Sequence, residues 1–175
     1  MTDLTAEEMD EFDRHSRRVL WAMPTGLYLI GSRWEEKVNL MTANLVTQVC
    51  LEPKLVAAAI EADSVTADLV SHAGAFTLSL LDRADKAVVR RFVKPVQEVT
   101  RDEGGAVVAL SGQAVREVGP NRLPVLAAAA GFVLATVTER RPLGSHELFV
   151  GRVDEVGGEP ADVLRMEDTR MHYGG

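Results

Sequence analysis

Hydrophobic positions near the start of the chain recur at helical spacing. Met9, Phe12, Ser16, Val19 and Leu20 step by threes and fours and so share one face of a helix. Thr5 and Glu8 stand in the T-x-x-E arrangement, in which each side chain satisfies the other residue's backbone N–H. Acids lead this segment and Arg14, Arg17 and Arg18 trail it, an order that complements the helix dipole, and Pro24 closes it. Beyond Thr25 the period changes. Leu27, Leu29 and Ile30 lie in a short β-like run expected to stop at Gly31. Residues 42–51 read as one strand with a polar side, because Thr42, Asn44 and Gln48 alternate with Ala43, Leu45 and Val49. Residues 54–60 form an apolar run of the length of a buried strand.

Ser64 is placed to cap a short helix over 65–72, Gly74 to close it, and 75–81 to follow as a strand. Asp82 is placed to cap a second helix, with Ala84, Ala87, Val88 and Phe92 as its buried stripe and Pro95 as its stop. The second half is mainly β. Residues 106–110 and 113–118 are strands joined by Ser111-Gly112, and 146–156 alternate as another strand. Residues 126–137 are ambiguous: the alanines at 127–130 favour a helix, whereas Val133, Thr136, Val137 and Thr138 favour a strand from about 130. This order is not a doubly wound α/β alternation, and neither G-x-G-x-x-G after a strand nor G-x-x-x-x-G-K-[ST] occurs. The fold class is therefore mainly β with short helices, as a closed or nearly closed antiparallel barrel.

Composition narrows the function classes. Among 175 residues, 26 Asp and Glu against 19 Lys and Arg give a net charge of −7, which disfavours a phosphate backbone as partner, so no nucleic acid is expected. No apolar run reaches the roughly 18 residues of a membrane span, and the acidic start does not resemble a secretory signal. A single cysteine, Cys50, excludes an intrachain disulfide, and the four histidines make no metal spacing. The expectation is a cytoplasmic domain with no metal and no membrane partner.

Several residues have two readings. The polar side of 42–51 is either solvated or a platform on which a flat heteroaromatic ring meets small residues such as Ala43 and Asn44, with Thr42 or Gln48 at its edge. Asp63-Ser64-Val65-Thr66 is either a plain helix cap or a phosphate seat built from free N–H groups and two hydroxyls. Arg83, Lys86, Arg90, Arg91 and Lys94 form either a solvated face or a source of charge for a phosphate dianion. His146 is either a turn residue or a side chain projecting over the barrel mouth, and Trp34, in the charged segment 33–37, is free to cover a ligand ring.

The segments GLYLIG (26–31), NLMTANLVTQVCLEPKLVAAAI (39–60), SVTADLVSHAGAFTLSLL (64–81), GSHELFVGRV (144–153) and MHYGG (171–175), in this order, resemble the flavin reductase-like, FMN-binding split-barrel family. The resemblance covers 23–175 and leaves 1–22 as an appended N-terminal helix. It implies a six-stranded Greek-key split barrel with helical insertions, forming homodimers whose flavin sites lie along the subunit interface. It also implies that Thr42, Ala43, Asn44 and Leu45 face the isoalloxazine, that Ser64 and Thr66 bind the phosphate side, and that Arg91 or Lys94 assists. His146 is implied to stand near the nicotinamide or the flavin.

The implied function is an NAD(P)H-dependent flavin reductase, with FMN or FAD as flavin and NADH or NADPH as donor, serving as the small component of a two-component monooxygenase. The alternatives are an FMN-bearing electron carrier without NAD(P)H activity and a non-enzymatic split-barrel binder. Three departures from the family pattern bear on substrate preference: Ser145 stands where the family's G-D-H turn has Asp, Gln48-Val49-Cys50 replaces S-V-S, and Glu52-Pro53-Lys54 replaces Pro-Pro.

Overall fold

The computed structural model describes residues 5–160, 162–169 and 171. The MHYGG motif beyond Met171 lies outside the described residues. Helix α1 (Ala6–Trp21) has the full capping box at Thr5 and Glu8 that its sequence predicts, with Thr5 N–H donating to Glu8 Oε2 at 2.8 Å. No residue of α1 is buried, and Met9, Phe12, Val19 and Leu20 on its apolar face are exposed.

Strands β1 (Tyr28–Trp34), β2 (Lys37–Ala43), β3 (Val46–Cys50), β4 (Leu55–Glu61), β5 (Ala75–Leu80), β10 (Gly131–Pro142) and β11 (His146–Gly158) form one seven-stranded sheet in the order β2-β1-β5-β10-β11-β4-β3. Its two edges, β2 and β3, are consecutive in the chain and joined only by Asn44-Leu45. A link that short spans about 10 Å at most, so the sheet must curl until its edges face each other. The result is a barrel split along the β2–β3 seam, and Leu45 extends the β3–β4 ladder up to the seam by accepting from Ala59 N–H at 2.9 Å. Strands β6 (Val99–Arg101), β7 (Val107–Leu110), β8 (Gln113–Val118) and β9 (Leu123–Leu126) form a second, four-stranded sheet. Two buried hydroxyls of β5 anchor it: Thr77 donates to the Pro124 carbonyl at 2.6 Å and Ser79 accepts from Leu126 N–H at 3.1 Å.

Two layers on one sheet explain its hydrophobic pattern. Ile30, Phe76, Ile60 and Phe149 fill the barrel, whereas Leu29, Leu40, Phe92 and Leu110 fill the space between the sheet and its outer layer. Strands buried on both faces lose the alternation that marks a half-solvated strand. For that reason Gly31 does not end β1. It lies in mid-strand, where a Cβ would fall on the Pro124 carbonyl and the Thr77 hydroxyl, so glycine permits the close approach of the second sheet.

Three further expectations are corrected. Residues 42–51 are not one strand but the end of β2, the seam and β3. The helix expected after Asp82 is two 3₁₀ turns, Arg83–Asp85 and Val88–Phe92, although Asp82 does cap the first through Ala84 N–H at 2.8 Å. Thr42 donates to the Val89 carbonyl at 2.7 Å, tying this segment to β2 at an acceptor that a continuing α-helix would use itself. The alanines at 127–130 form a turn, because Ala127 N–H goes to Ala114 and Ala130 N–H to Leu80 instead of to a helical ladder. Helix α2 (Val65–Ala73) follows its sequence signals closely, with Ser64 accepting from Ala67 N–H at 3.1 Å and Gly74 at φ 64° closing it.

Candidate functional site

A cavity of about 820 Å³ opens at the β2–β3 seam. Asn44 and Leu45 of the seam contribute to its lining, together with Glu61 at the end of β4 and His146 at the start of β11. The chain leaving α1, residues 20–25, and the C-terminal segment with Arg165 and Met166 complete the lining. These two segments hold each other: Leu27 N–H donates to Leu164 at 3.1 Å and Met166 N–H to Thr25 at 3.0 Å, with Leu164 fully buried beneath. Arg83 anchors the C-terminal segment from outside through an ion pair with Asp168, whose carboxyl the Arg165 backbone N–H and then Arg83 hold below its ordinary value against the effect of burial.

His146 is fixed by its backbone. Gly144 takes φ 89°, the left-handed region open to glycine, and lets the β10–β11 turn close. The Ser145 carbonyl then accepts from Ala62 N–H at 3.0 Å, and the His146 carbonyl from Leu143 N–H at 2.8 Å. Ser145 Oγ lies 2.9 Å from His146 Nδ1, so the neighbouring serine orients the ring. The following residue, Glu147, is engaged elsewhere: Arg140 donates two bonds of 2.7 Å to it and keeps its carboxyl below the usual range.

A second set of predicted residues converges on β2 from its other flank. Asn39 is buried and bridges two elements, donating to Thr66 Oγ1 at 2.9 Å and accepting from Val96 N–H at 2.8 Å. Together with the Thr42–Val89 bond, this holds the start of α2 and the segment 83–96 against the strand that carries Thr42, Ala43 and Asn44. Ser64 uses its hydroxyl on Ala67 N–H, and in the first turn Val65 is exposed whereas Thr66 is fully buried. Arg91 and Lys94 are exposed on the 83–96 segment and, like Lys86 and Arg90, make no ion pair among the described residues.

Four sequence-based assignments change in the structure. The Thr42 and Thr66 hydroxyls point inward, to Val89 and Asn39, and both residues are buried. Ala43 is also buried, packed in the barrel core behind the seam. Gln48 lies on exposed β3 and donates to the Cys50 carbonyl at 3.2 Å. Trp34 pairs with Lys37 at the far end of the β1–β2 hairpin, five register positions from the Leu29–Thr42 pair, or about 17 Å away. Its ring faces His72 at 5.9 Å, so it covers nothing at the seam of its own chain.

Three residues important to the site carried no sequence signal. Glu61 comes opposite His146 only through β4–β11 pairing, Asn39 sits inside an apolar stretch, and Arg165 arrives from a segment without regular structure.

Residues 20–174 match the family model described as the flavin reductase like domain. The chain is 28% identical over 157 residues to an NADH-dependent flavin reductase of Rhodococcus sp., covering 87% of this chain and 82% of that protein. It is 30% identical over 141 residues to the reductase component of 4-hydroxyphenylacetate 3-monooxygenase from Thermus thermophilus, covering 80% of this chain and 81% of the relative. Among solved structures, the flavin reductase PheA2 in its native state superposes with a TM-score of 0.71 at 25% identity, over 87% of this chain and 92% of that one. With the barrel split at Asn44-Leu45 and His146 at its mouth, these matches show that the chain belongs to the flavin reductase-like family.

Proposed function

We propose that this chain is an NADH-dependent flavin reductase, with FMN as flavin, acting as the reductase component of a two-component monooxygenase. The observation that carries the reading is the cavity at the seam, where Asn44 and Leu45 meet His146 in a space of about 820 Å³. That volume suits a cofactor and part of a second ligand. When bound, the flavin supplies the hydride-accepting ring, and the protein supplies position and field. Asn44 and the seam backbone hold the ring edge. On the other flank of β2, the start of α2 at Ser64 and Val65 and the cations Arg91 and Lys94 take the phosphate. Thr66, buried with its hydroxyl committed to Asn39, supports that helix start from behind. His146 positions the nicotinamide at the mouth. The domain over 23–175 is the working unit, and helix 1–22 is appended to it.

Mixing the purified, FMN-loaded protein with NADH in a stopped-flow instrument tests the proposal. Bleaching of the flavin within seconds is expected, followed by steady NADH oxidation with added FMN. A flavin that stays oxidised for minutes would make the chain an electron carrier instead. The phosphate seat has its own test. Ser64→Ala combined with Arg91→Ala should weaken FMN by about tenfold or more and riboflavin, which lacks the phosphate, by less than about threefold. Equal losses for the two ligands would remove Ser64 and Arg91 from the site.

A homodimer belongs to the same proposal. Met9, Phe12, Val19 and Leu20 on α1, Val49 on the edge strand β3 and Leu51 just after it are all exposed, an apolar surface and an open strand edge that an isolated copy leaves in water. Light scattering should give twice the chain mass at micromolar concentration. A value equal to one chain, with FMN bound, would refute the dimer.

A further inference from the structure

Glu61 ends β4, His146 begins β11, and the two are direct partners in the antiparallel register. Directly opposed residues send their side chains to the same face of a sheet, with Cβ atoms about 4.5–5.5 Å apart. Both residues line the seam cavity. The Glu61 carboxylate makes no ion pair and no side-chain hydrogen bond among the described residues. The other charged pair on the wall, Arg165 and Glu167, is satisfied internally at 3.3 Å. Glu61 is exposed at the cavity, so its carboxylate oxygens are open to a ligand donor in place of solvent.

His146 has the opposite character. Its Nδ1 lies 2.9 Å from Ser145 Oγ. When the serine hydroxyl donates there, Nε2 carries the ring proton, and that tautomer offers the cavity an N–H donor. An acceptor-only carboxylate next to an N–H donor on one wall complements a primary carboxamide, which carries a carbonyl acceptor and an NH₂ donor on a single carbon. A phosphate does not fit this wall, because it offers Glu61 no donor and meets an uncompensated negative charge.

Building on the reductase reading above, we infer that Glu61 and His146 together read the carboxamide of the nicotinamide. Glu61 accepts its N–H and His146 donates to its carbonyl. Glu61 is then a specificity residue for the electron donor, and the Glu61–His146 register fixes which face of the pyridine turns toward the flavin.

The test compares NADH with reduced 3-acetylpyridine adenine dinucleotide, which keeps the carbonyl and replaces the NH₂ by a methyl group. Glu61→Ala should lower kcat/KM for NADH by about tenfold, the usual worth of a hydrogen bond to a charged group, and for the analogue by less than about twofold. Glu61→Gln keeps an acceptor oxygen and should retain at least about a third of the wild-type value with NADH. Equal losses with both donors overturn the assignment, since a structural defect does not distinguish NH₂ from methyl.

Calorimetric binding of oxidised NAD and its 3-acetylpyridine analogue to the FMN-loaded protein supplies a readout independent of turnover. The wild-type protein should bind NAD more tightly, and Glu61→Ala should erase the difference. If NADH fails to reduce the flavin while this preference and its loss are observed, the reductase reading falls and the carboxamide site stands. Equal affinities, or no binding of either dinucleotide, overturn the site.

Discussion

His146→Ala should lower kcat/KM for NADH by about ten- to a hundredfold while changing FMN affinity by less than about twofold. The asymmetry follows from where the residue sits. His146 lines the cavity from the first position of β11, and its backbone is held by Leu143 N–H on its own carbonyl and by Ala62 N–H on the preceding Ser145 carbonyl whatever its side chain is. Removing the ring therefore leaves the flavin-holding elements intact and deletes one hydrogen bond to the donor, worth about 1–3 kcal/mol. Hydride transfer needs no side-chain acid, so a residual rate should persist and the loss should appear mainly in KM and in the rate of flavin bleaching. Parallel losses of FMN affinity and NADH turnover would place His146 on the flavin instead, and an unchanged rate would reduce it to a turn residue.

Asn39→Ala should destabilise the protein by about 2–4 kcal/mol and weaken FMN by about tenfold. Asn39 is 3% exposed and holds a buried partner, Thr66 Oγ1, and a partly buried one, Val96 N–H. Alanine leaves the Val96 N–H without an acceptor and the Thr66 hydroxyl without its donor, each a polar loss of about 1–3 kcal/mol. The same two bonds fix α2 and the 83–96 segment on β2, so the proposed phosphate seat and the cations beside it lose their common anchor. Urea unfolding with and without FMN measures both effects. A loss of stability with unchanged FMN affinity would make the network purely structural, and a change under about 1 kcal/mol would contradict the burial argument itself.

Much of this was legible before any coordinates. The capping box at Thr5 and Glu8, the α2 boundaries at Ser64 and Gly74, and the β7–β8 turn at Ser111-Gly112 are written in residues whose local chemistry leaves few alternatives. Local signals failed where tertiary bonds took over the backbone. The segment after Asp82 has a helical apolar stripe, yet its carbonyl at Val89 goes to Thr42 and its neighbour at Val96 to Asn39. The alanine run at 127–130 has high helix propensity, but its N–H groups are taken by Ala114 and Leu80 of adjoining strands. The barrel seam was invisible for a related reason. Thr42, Asn44 and Gln48 alternate with Ala43, Leu45 and Val49 across the break, and only the sheet order shows that Asn44-Leu45 joins opposite edges.

The candidate site divides along the same line. The sequence alone determined the residue types and their order: small and polar at 42–44, a capped helix start at 64, a cluster of cations near 91, and a glycine-set histidine at 146. These follow from short-range rules and from motif order. The tertiary structure decided which atoms of those residues remain available. It turned the Thr42 and Thr66 hydroxyls inward, sent Trp34 to the far end of its hairpin, and raised Glu61 opposite His146. Which face a side chain takes depends on strand register and on buried hydrogen bonds between residues far apart in sequence, such as Asn39 with Val96 and Glu61 with His146, and no local pattern encodes that pairing.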